Sequence, residues 1–266
     1  MPLAPVTART RLALADADAR LRDEPPPDRV LKEATEQQCE RIGEMQSRLY
    51  ADGRFALLVV LQGRDASGKD GTIRKVFRDV NPQGCEVTSF KVPTEPERRH
   101  DFLWRIHARV PARGMIGIFN RSQYEDILVP RVHGWLTPKA ARDRLGQIND
   151  FERMLTRNGV VLLKFMLHIS RAEQKERLID RLRDPTKNWK FNPGDLDDSA
   201  RWDDYTKAYR LAIRHTSMPH APWYVVPADD KDTRNWLIAQ TVAERLAAMR
   251  LRYPRASRDV LAMKVR

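Results

Sequence analysis

A single junction constrains this chain more than any other feature. The apolar run Phe55–Leu61 passes through Gln62 into Gly63-Arg64-Asp65-Ala66-Ser67-Gly68-Lys69-Asp70-Gly71, and helical spacing follows over about 68–80. The pattern G-x-x-x-x-G-K between a strand and a helix is that of a phosphate-binding loop. Small residues let backbone N–H groups turn inward around phosphate oxygens, and the helix adds its positive end. Gly63, Ala66, Ser67, Gly68 and Gly71 are the candidate cradle, and Lys69 brings a compact positive charge to the phosphoryl group. A glycine-containing strand-to-helix turn with an incidental lysine is the plainer alternative, and the flanking elements weigh against it.

The alternation continues along the chain. Apolar stretches that suit buried parallel strands recur at Cys85–Phe90, Met115–Phe119, Val160–Ile169 and Trp223–Val226. Helical spacing occupies the intervals, at roughly 95–109, 137–158, 171–183, 197–216 and 231–250, after a first helix from Asp28 to Tyr50. Ser170 followed by Glu173 reads as a capping box. Strands alternating with helices predict an α/β fold, a parallel five-stranded sheet flanked by helices, with ligands at the strands' carboxyl ends. Residues 1–27, polar and closed by Pro25-Pro26-Pro27, are expected to be a flexible leader. The remainder, 28–266, is expected to be one domain with a mobile lid over about 177–200.

Position 70 carries Asp where most nucleotide-hydrolysing loops place a magnesium-binding Ser or Thr. A carboxylate beside anionic phosphates needs a cation, so Asp65 is the first candidate ligand for Mg²⁺, or Mn²⁺ in its place. Asp70 is the second; an acidic residue in the first turn of a helix accounts for it equally well. Asn120-Arg121-Ser122 falls where the third strand ends. Arg121 can fork two phosphate oxygens, or pair with Glu125 one helical turn on. Asn120 is a neutral amide that orients water and cannot act as a strong base. Arg177 and Arg181 share a helix face that leads into Lys187 and Lys190, a row of cations suited to a lid over a polyanion or to a solvated surface. Lys91 and Arg131 are further cations with both readings open, while Phe77, Trp189 and Phe191 either stack on a base or pack the core.

Charge explains why a polyanion is sought. The 266 residues carry a net charge of +12, a surplus that attracts polyanions of every kind. No signature of a recognition helix, zinc finger or RNA-binding strand is present, so nucleic acid is not the expected partner. No apolar run approaches the ~18 residues of a membrane-spanning helix, nor does the start resemble a secretory signal. Cys39 and Cys85 fit no metal-ligand spacing and read as reduced thiols. A cytoplasmic protein is expected.

The run Leu61–Gly71 resembles the signature loop of the polyphosphate kinase 2 family. Further blocks agree in order: Phe90-Lys91-Val92-Pro93-Thr94, Asp101-Phe102-Leu103-Trp104-Arg105, Phe119-Asn120-Arg121-Ser122-Gln123-Tyr124-Glu125-Asp126, Phe151-Glu152, Lys164-Phe165, Glu173-Gln174 with Arg177, Arg181–Pro185, Trp189-Lys190 and Ala221-Pro222-Trp223. The resemblance implies a three-layer, thymidylate-kinase-like P-loop fold with a helical lid. It also implies Mg²⁺-dependent phosphoryl transfer between inorganic polyphosphate and AMP, ADP or ATP, with guanine nucleotides a further option. It implies Asp65 as a catalytic, metal-associated aspartate, Arg121 as a phosphate contact, and a homo-oligomer, dimer or tetramer. Many family members have Asp where this chain has Asn120, and the Asn resembles the third class, which accepts both AMP and ADP. Two rivals stand beside this reading: an NTP-dependent nucleotide kinase, and a non-catalytic polyanion-binding protein.

Overall fold

Strands rich in β-branched and aliphatic residues need cover on both faces, and each β1 face meets its own helical layer. The computed structural model describes residues 3–191 and 194–264, apart from the side chains of Lys190 and Asp195. Strands β1 (Ala56–Gln62), β2 (Cys85–Ser89), β3 (Ile116–Asn120), β4 (Val160–His168) and β5 (Trp223–Pro227) form one parallel sheet in the order β2-β3-β1-β4-β5. Helices α1 (Asp28–Asp52), α2 (Lys69–Val76), α3 (Glu95–Arg98), α4 (Trp104–His107), α5 (Glu125–Val132), α6 (Pro138–Arg157), α7 (Arg171–Arg183), α8 (Gly194–Ala200), α9 (Trp202–Thr216), α10 (Lys231–Ala248) and α11 (Arg258–Ala262) connect and flank it. Leu57, Val59 and Leu61 share a buried cluster with Ile42 and Leu49 of α1 and Leu237 and Ile238 of α10. Leu58 and Val60 point the other way, into a cluster with Phe151 and Leu155 of α6. The result is a three-layer α/β fold, a parallel five-stranded sheet between two helical layers.

Several local expectations are corrected. The helix expected over 95–109 is two short pieces, because Asp101 Oδ1 accepts from the Leu103 amide at 2.9 Å and turns the chain between them. Helix α5 was not foreseen, since Pro130 lies inside it and removes an amide donor. β2 is an edge strand whose Val87 is exposed, not a buried one. Ser170 Oγ does accept from the Glu173 amide at 3.3 Å. The reciprocal half of the box is absent: Glu173 turns to Arg177, and the Ser170 amide donates to Asp229 Oδ1 at 2.8 Å. Phe77 packs in the core beside Val76 and Val80.

The expected leader is seated on the domain over residues 3–21. Val6, Leu12, Leu14 and Ala19 are buried, and the Val6 amide donates to Trp223 O at 2.7 Å. These four apolar side chains are too sparsely spaced among arginines and alanines to show helical or strand periodicity, so their burial leaves no pattern in the sequence. Among the described residues no helix is long and apolar enough to cross a membrane.

Candidate active site

β1 and β3 are neighbours at the centre of the sheet, with Leu61 opposite Asn120. Their carboxyl ends deliver the loop 63–68 and the Asn120–Arg121 turn to one crevice. β1 is flanked by β3 on one side and β4 on the other, the position at which open parallel sheets bind ligands. The Arg121 amide donates to Leu61 O at 3.0 Å and joins the two turns.

The loop backbone explains its glycines. Gly63, Ala66 and Gly68 have φ of 153°, 62° and 98°. A Cβ at Gly63 would stand 2.7 Å from both Leu167 O and Ser67 Oγ, and one at Gly68 would stand 2.0 Å from Arg234 Nη1. Gly68 thus lets the Arg234 guanidinium close on the loop, where Nη1 donates to Ser67 O at 3.2 Å. Ser67 Oγ is buried without a hydrogen-bond partner in the structure, an arrangement that asks for a ligand or water. Lys69 is also buried, its Nζ donating to Gly63 O at 2.7 Å and Arg64 O at 3.2 Å. Burial, helped by nearby Arg121, pushes its ammonium down to about 8; Asp65, Glu125 and Asp70 oppose the shift.

Arg121 has φ 63°, a left-handed conformation that a non-glycine residue adopts at some cost. That turn aims its guanidinium into the crevice. Nη2 donates to Asp65 Oδ1 at 2.6 Å and Nη1 to Glu125 Oε2 at 3.2 Å. The neighbouring Glu125 carboxylate holds the guanidinium firmly charged against the effect of burial, and Asp65 adds to it. Burial pushes the Glu125 carboxyl up, with Arg121 and Lys69 opposing. With its amide nitrogen toward Glu125, Gln62 donates to Oε1 at 2.9 Å while its oxygen accepts from Ser122 Oγ at 2.9 Å. Asn120 Nδ2 donates to Asp70 Oδ1 at 2.7 Å. Asp65, Lys69, Asp70, Asn120 and Arg121 therefore meet at one place, two cations interleaved with carboxylates. The ordinary reading of Arg121, an ion pair with Glu125, is real but shares the guanidinium with Asp65.

A model of the polyphosphate kinase 2 family matches residues 27–254. The chain belongs to this family. It is 51% identical over 214 residues to the AMP/ADP-polyphosphate phosphotransferase of Meiothermus ruber, covering 80% of each chain. It is 43% identical over 229 residues to the ADP-polyphosphate phosphotransferase of Rhodopseudomonas palustris, covering 82% of this chain and 79% of that one. The crystal structure of polyphosphate kinase 2 from Arthrobacter aurescens TC1 superposes with a TM-score of 0.92 at 43% identity, over 97% of this chain and 92% of that one. The protein is a kinase-type enzyme.

Within this member of the family, the basic segment divides. Arg177 does not reach outward toward a polyanion. Its Nε donates to Glu173 at 2.8 Å, Nη1 to Ala66 O at 3.1 Å, and Nη2 to Ala228 O at 2.8 Å and Asp229 O at 2.5 Å. It braces the loop from behind, a position that helical spacing alone does not reveal. Arg181 lies further along α7, half-buried. Lys187 is exposed and pairs with Asp184. The Lys190 side chain, with Asn192 and Pro193, lies outside the described residues. Trp189 is exposed.

Two residues given no individual role by the sequence reading complete the setting. Arg64 is buried and holds the loop to α9: Nη2 donates to Trp202 O at 3.0 Å and Thr206 Oγ1 at 2.6 Å, and the guanidinium lies 3.8 Å over the Trp202 ring. Burial pushes it down to about 10. Gln174 donates to Asp65 O at 3.0 Å and accepts from Ser199 Oγ of α8 at 3.1 Å, tying the loop to α8. Behind Arg121, Lys164 Nζ donates to Glu152 Oε2 at 2.5 Å and to Thr216 O at 2.8 Å, both partners fully buried. Glu152 Oε1 accepts from Tyr124 Oη at 2.7 Å and Gln123 Nε2 at 3.1 Å. The motif pairs Glu152 and Lys164 therefore fix the backbone on which Arg121 sits.

For a divalent cation, Asp65 and Asp70 offer hard oxygen donors at the mouth of the loop. Among the described residues no three His, Cys, Asp or Glu side chains form a ready cage. The donor set fits Mg²⁺, which is commonly held by one or two carboxylates with substrate phosphates and water completing its octahedron.

Proposed function

We propose that this enzyme transfers the terminal phosphoryl group of inorganic polyphosphate to ADP and AMP, and runs the reverse reaction with ATP as donor. The observation that carries the reading is the convergence of buried Lys69 and strained Arg121 on a loop whose Ser67 hydroxyl lacks a protein partner. In-line phosphoryl transfer asks the protein for positioning and for charge opposite the equatorial oxygens, and needs no protein nucleophile. The amides of Gly63–Gly71 and Lys69 hold the nucleotide's phosphates. Arg121 leaves its carboxylate partners to fork the transferring group, and Asp65 would be a residue that holds the cation. Mg²⁺, when bound, neutralises charge on the phosphates. Asn120 holds Asp70 in place and cannot itself take the acceptor's proton. Arg181, Lys187 and Lys190 grip the polyphosphate on the lid, whose closure excludes water as a competing acceptor. The working form is a dimer or tetramer in the cytoplasm.

The test compares donors. Purified protein with Mg²⁺ and either polyphosphate or GTP is given AMP or ADP, and products are separated after quenching. Product from both acceptors with polyphosphate supports the reading and the Asn120 assignment. Turnover confined to GTP identifies an NTP-dependent kinase instead.

A further inference from the structure

The segment before α1 lies outside the part of the chain that the family model matches, which begins at residue 27. It nevertheless touches three supports of the phosphate loop. At the first, His168 at the end of β4 is fully buried and its ring makes one hydrogen bond, Nε2 donating to Ala15 O at 2.8 Å. The preceding residue contributes the Leu167 carbonyl that lies against Gly63. At the second, the Asp229 amide donates to Ala19 O at 3.2 Å and Arg20 Nε donates to Asp229 Oδ2 at 3.1 Å. Asp229 O in turn accepts from Arg177, which holds Ala66 O. At the third, Val6, Leu12 and Leu14 enter the buried cluster that contains Tyr205 and Tyr209 of α9. The first turn of α9 anchors Arg64 through Trp202 O and Thr206 Oγ1.

Gly63, Arg64 and Ala66 are thus each backed by a residue or element that residues 3–21 hold. We propose that this segment is a strap whose docking positions the phosphate loop, so that undocking it lowers turnover while leaving the sheet intact. The inference rests on the reading of the loop as the phosphate site. Its residues act through others, which makes Leu12 and Leu14 positioning residues, as is Asp229, which the same segment's far end holds in place. Misplacing reacting groups by about 1 Å costs on the order of a hundredfold in rate, so a loop free to shift lowers kcat more than it raises KM.

The experiment uses the full chain carrying Leu12→Ser and Leu14→Ser. Hydrogen exchange reports on residues 3–21 and 63–68 separately, and kcat and KM for ADP are measured with polyphosphate as donor. The expected result is rapid exchange in the strap, exchange in the loop roughly tenfold faster, and kcat lower by about tenfold or more with KM changed less. An undocked strap with loop exchange and kcat within about twofold of the parent would overturn the proposal. If the double variant does not fold, Asp16→Ala with Arg20→Ala removes two surface ties, to the Arg171 amide and to Asp229. The same coupled change is then expected at a few-fold, and strap exchange rising alone overturns it. Absence of polyphosphate turnover in the parent chain refutes the functional reading, while the exchange arm still decides the strap.

Discussion

Lys69 makes a prediction that can be worked from the structure. Its ammonium is held at about 8 against an ordinary 10.5, chiefly by burial. That lowering corresponds to roughly 3 kcal/mol against the charged form. The charged form is the one that faces phosphate, so activity is present below pH 8 and is lost as pH rises through it. At pH 9 only about a tenth of the free enzyme carries the charge, and kcat/KM falls about tenfold per unit beyond. Bound phosphates favour the ammonium again, so the same limb in kcat lies at higher pH. Burial pushes the Cys39 and Cys85 thiols up to about 11 and Tyr209 higher still, so these groups do not mimic it, and the loop-bracing Arg64 and Arg234 lie above it at about 10. The assay is initial ATP formation from polyphosphate and ADP at pH 6.5–10, quenched and separated so that no coupling enzyme contributes its own profile. A kcat/KM profile flat beyond pH 9.5 would refute the reasoning. So would a Lys69→Met variant that keeps a limb near pH 8 in its residual rate.

Three further outcomes follow from the geometry. Gly68→Ala places a Cβ 2.0 Å from Arg234 Nη1 at φ 98°; it should cost about 1–3 kcal/mol in urea unfolding and remove most turnover. Asp65→Asn should abolish turnover with an unchanged circular dichroism melt, and near-normal activity would sink its metal role. Lys164→Met leaves Glu152 buried without its cation and should lose about 3–5 kcal/mol in denaturant unfolding, a loss that Glu152→Leu in the same chain largely recovers.

Much of the fold and part of the site were legible in the sequence. Apolar runs of strand length marked all five strands, and the G-x-x-x-x-G-K spacing fixed which strand ends at the loop. Asp65, Lys69, Asn120 and Arg121 could be singled out because they lie in the loop after β1 or at the carboxyl end of β3, where a parallel sheet gathers its ligand groups, and the structure brings them to one crevice. Arg177 was misread because spacing places a side chain on a helix face without saying what that face meets; here it meets the carbonyls of Ala66, Ala228 and Asp229. Arg64 and Gln174 stand in blocks that carry the family resemblance, yet their roles were not legible, since their partners Trp202 and Ser199 lie elsewhere along the chain. The strap was invisible for a related reason: its four buried residues are held by tertiary contacts and follow no local period.

The most direct test supplies ³²P-labelled polyphosphate as the sole phosphoryl donor to the purified protein with ADP and Mg²⁺, and locates the label. Label in the terminal phosphate of ATP, lost in Asp65→Asn and Lys69→Met, is the predicted result. Label remaining in polyphosphate or released as inorganic phosphate, with folded protein present, would contradict the account.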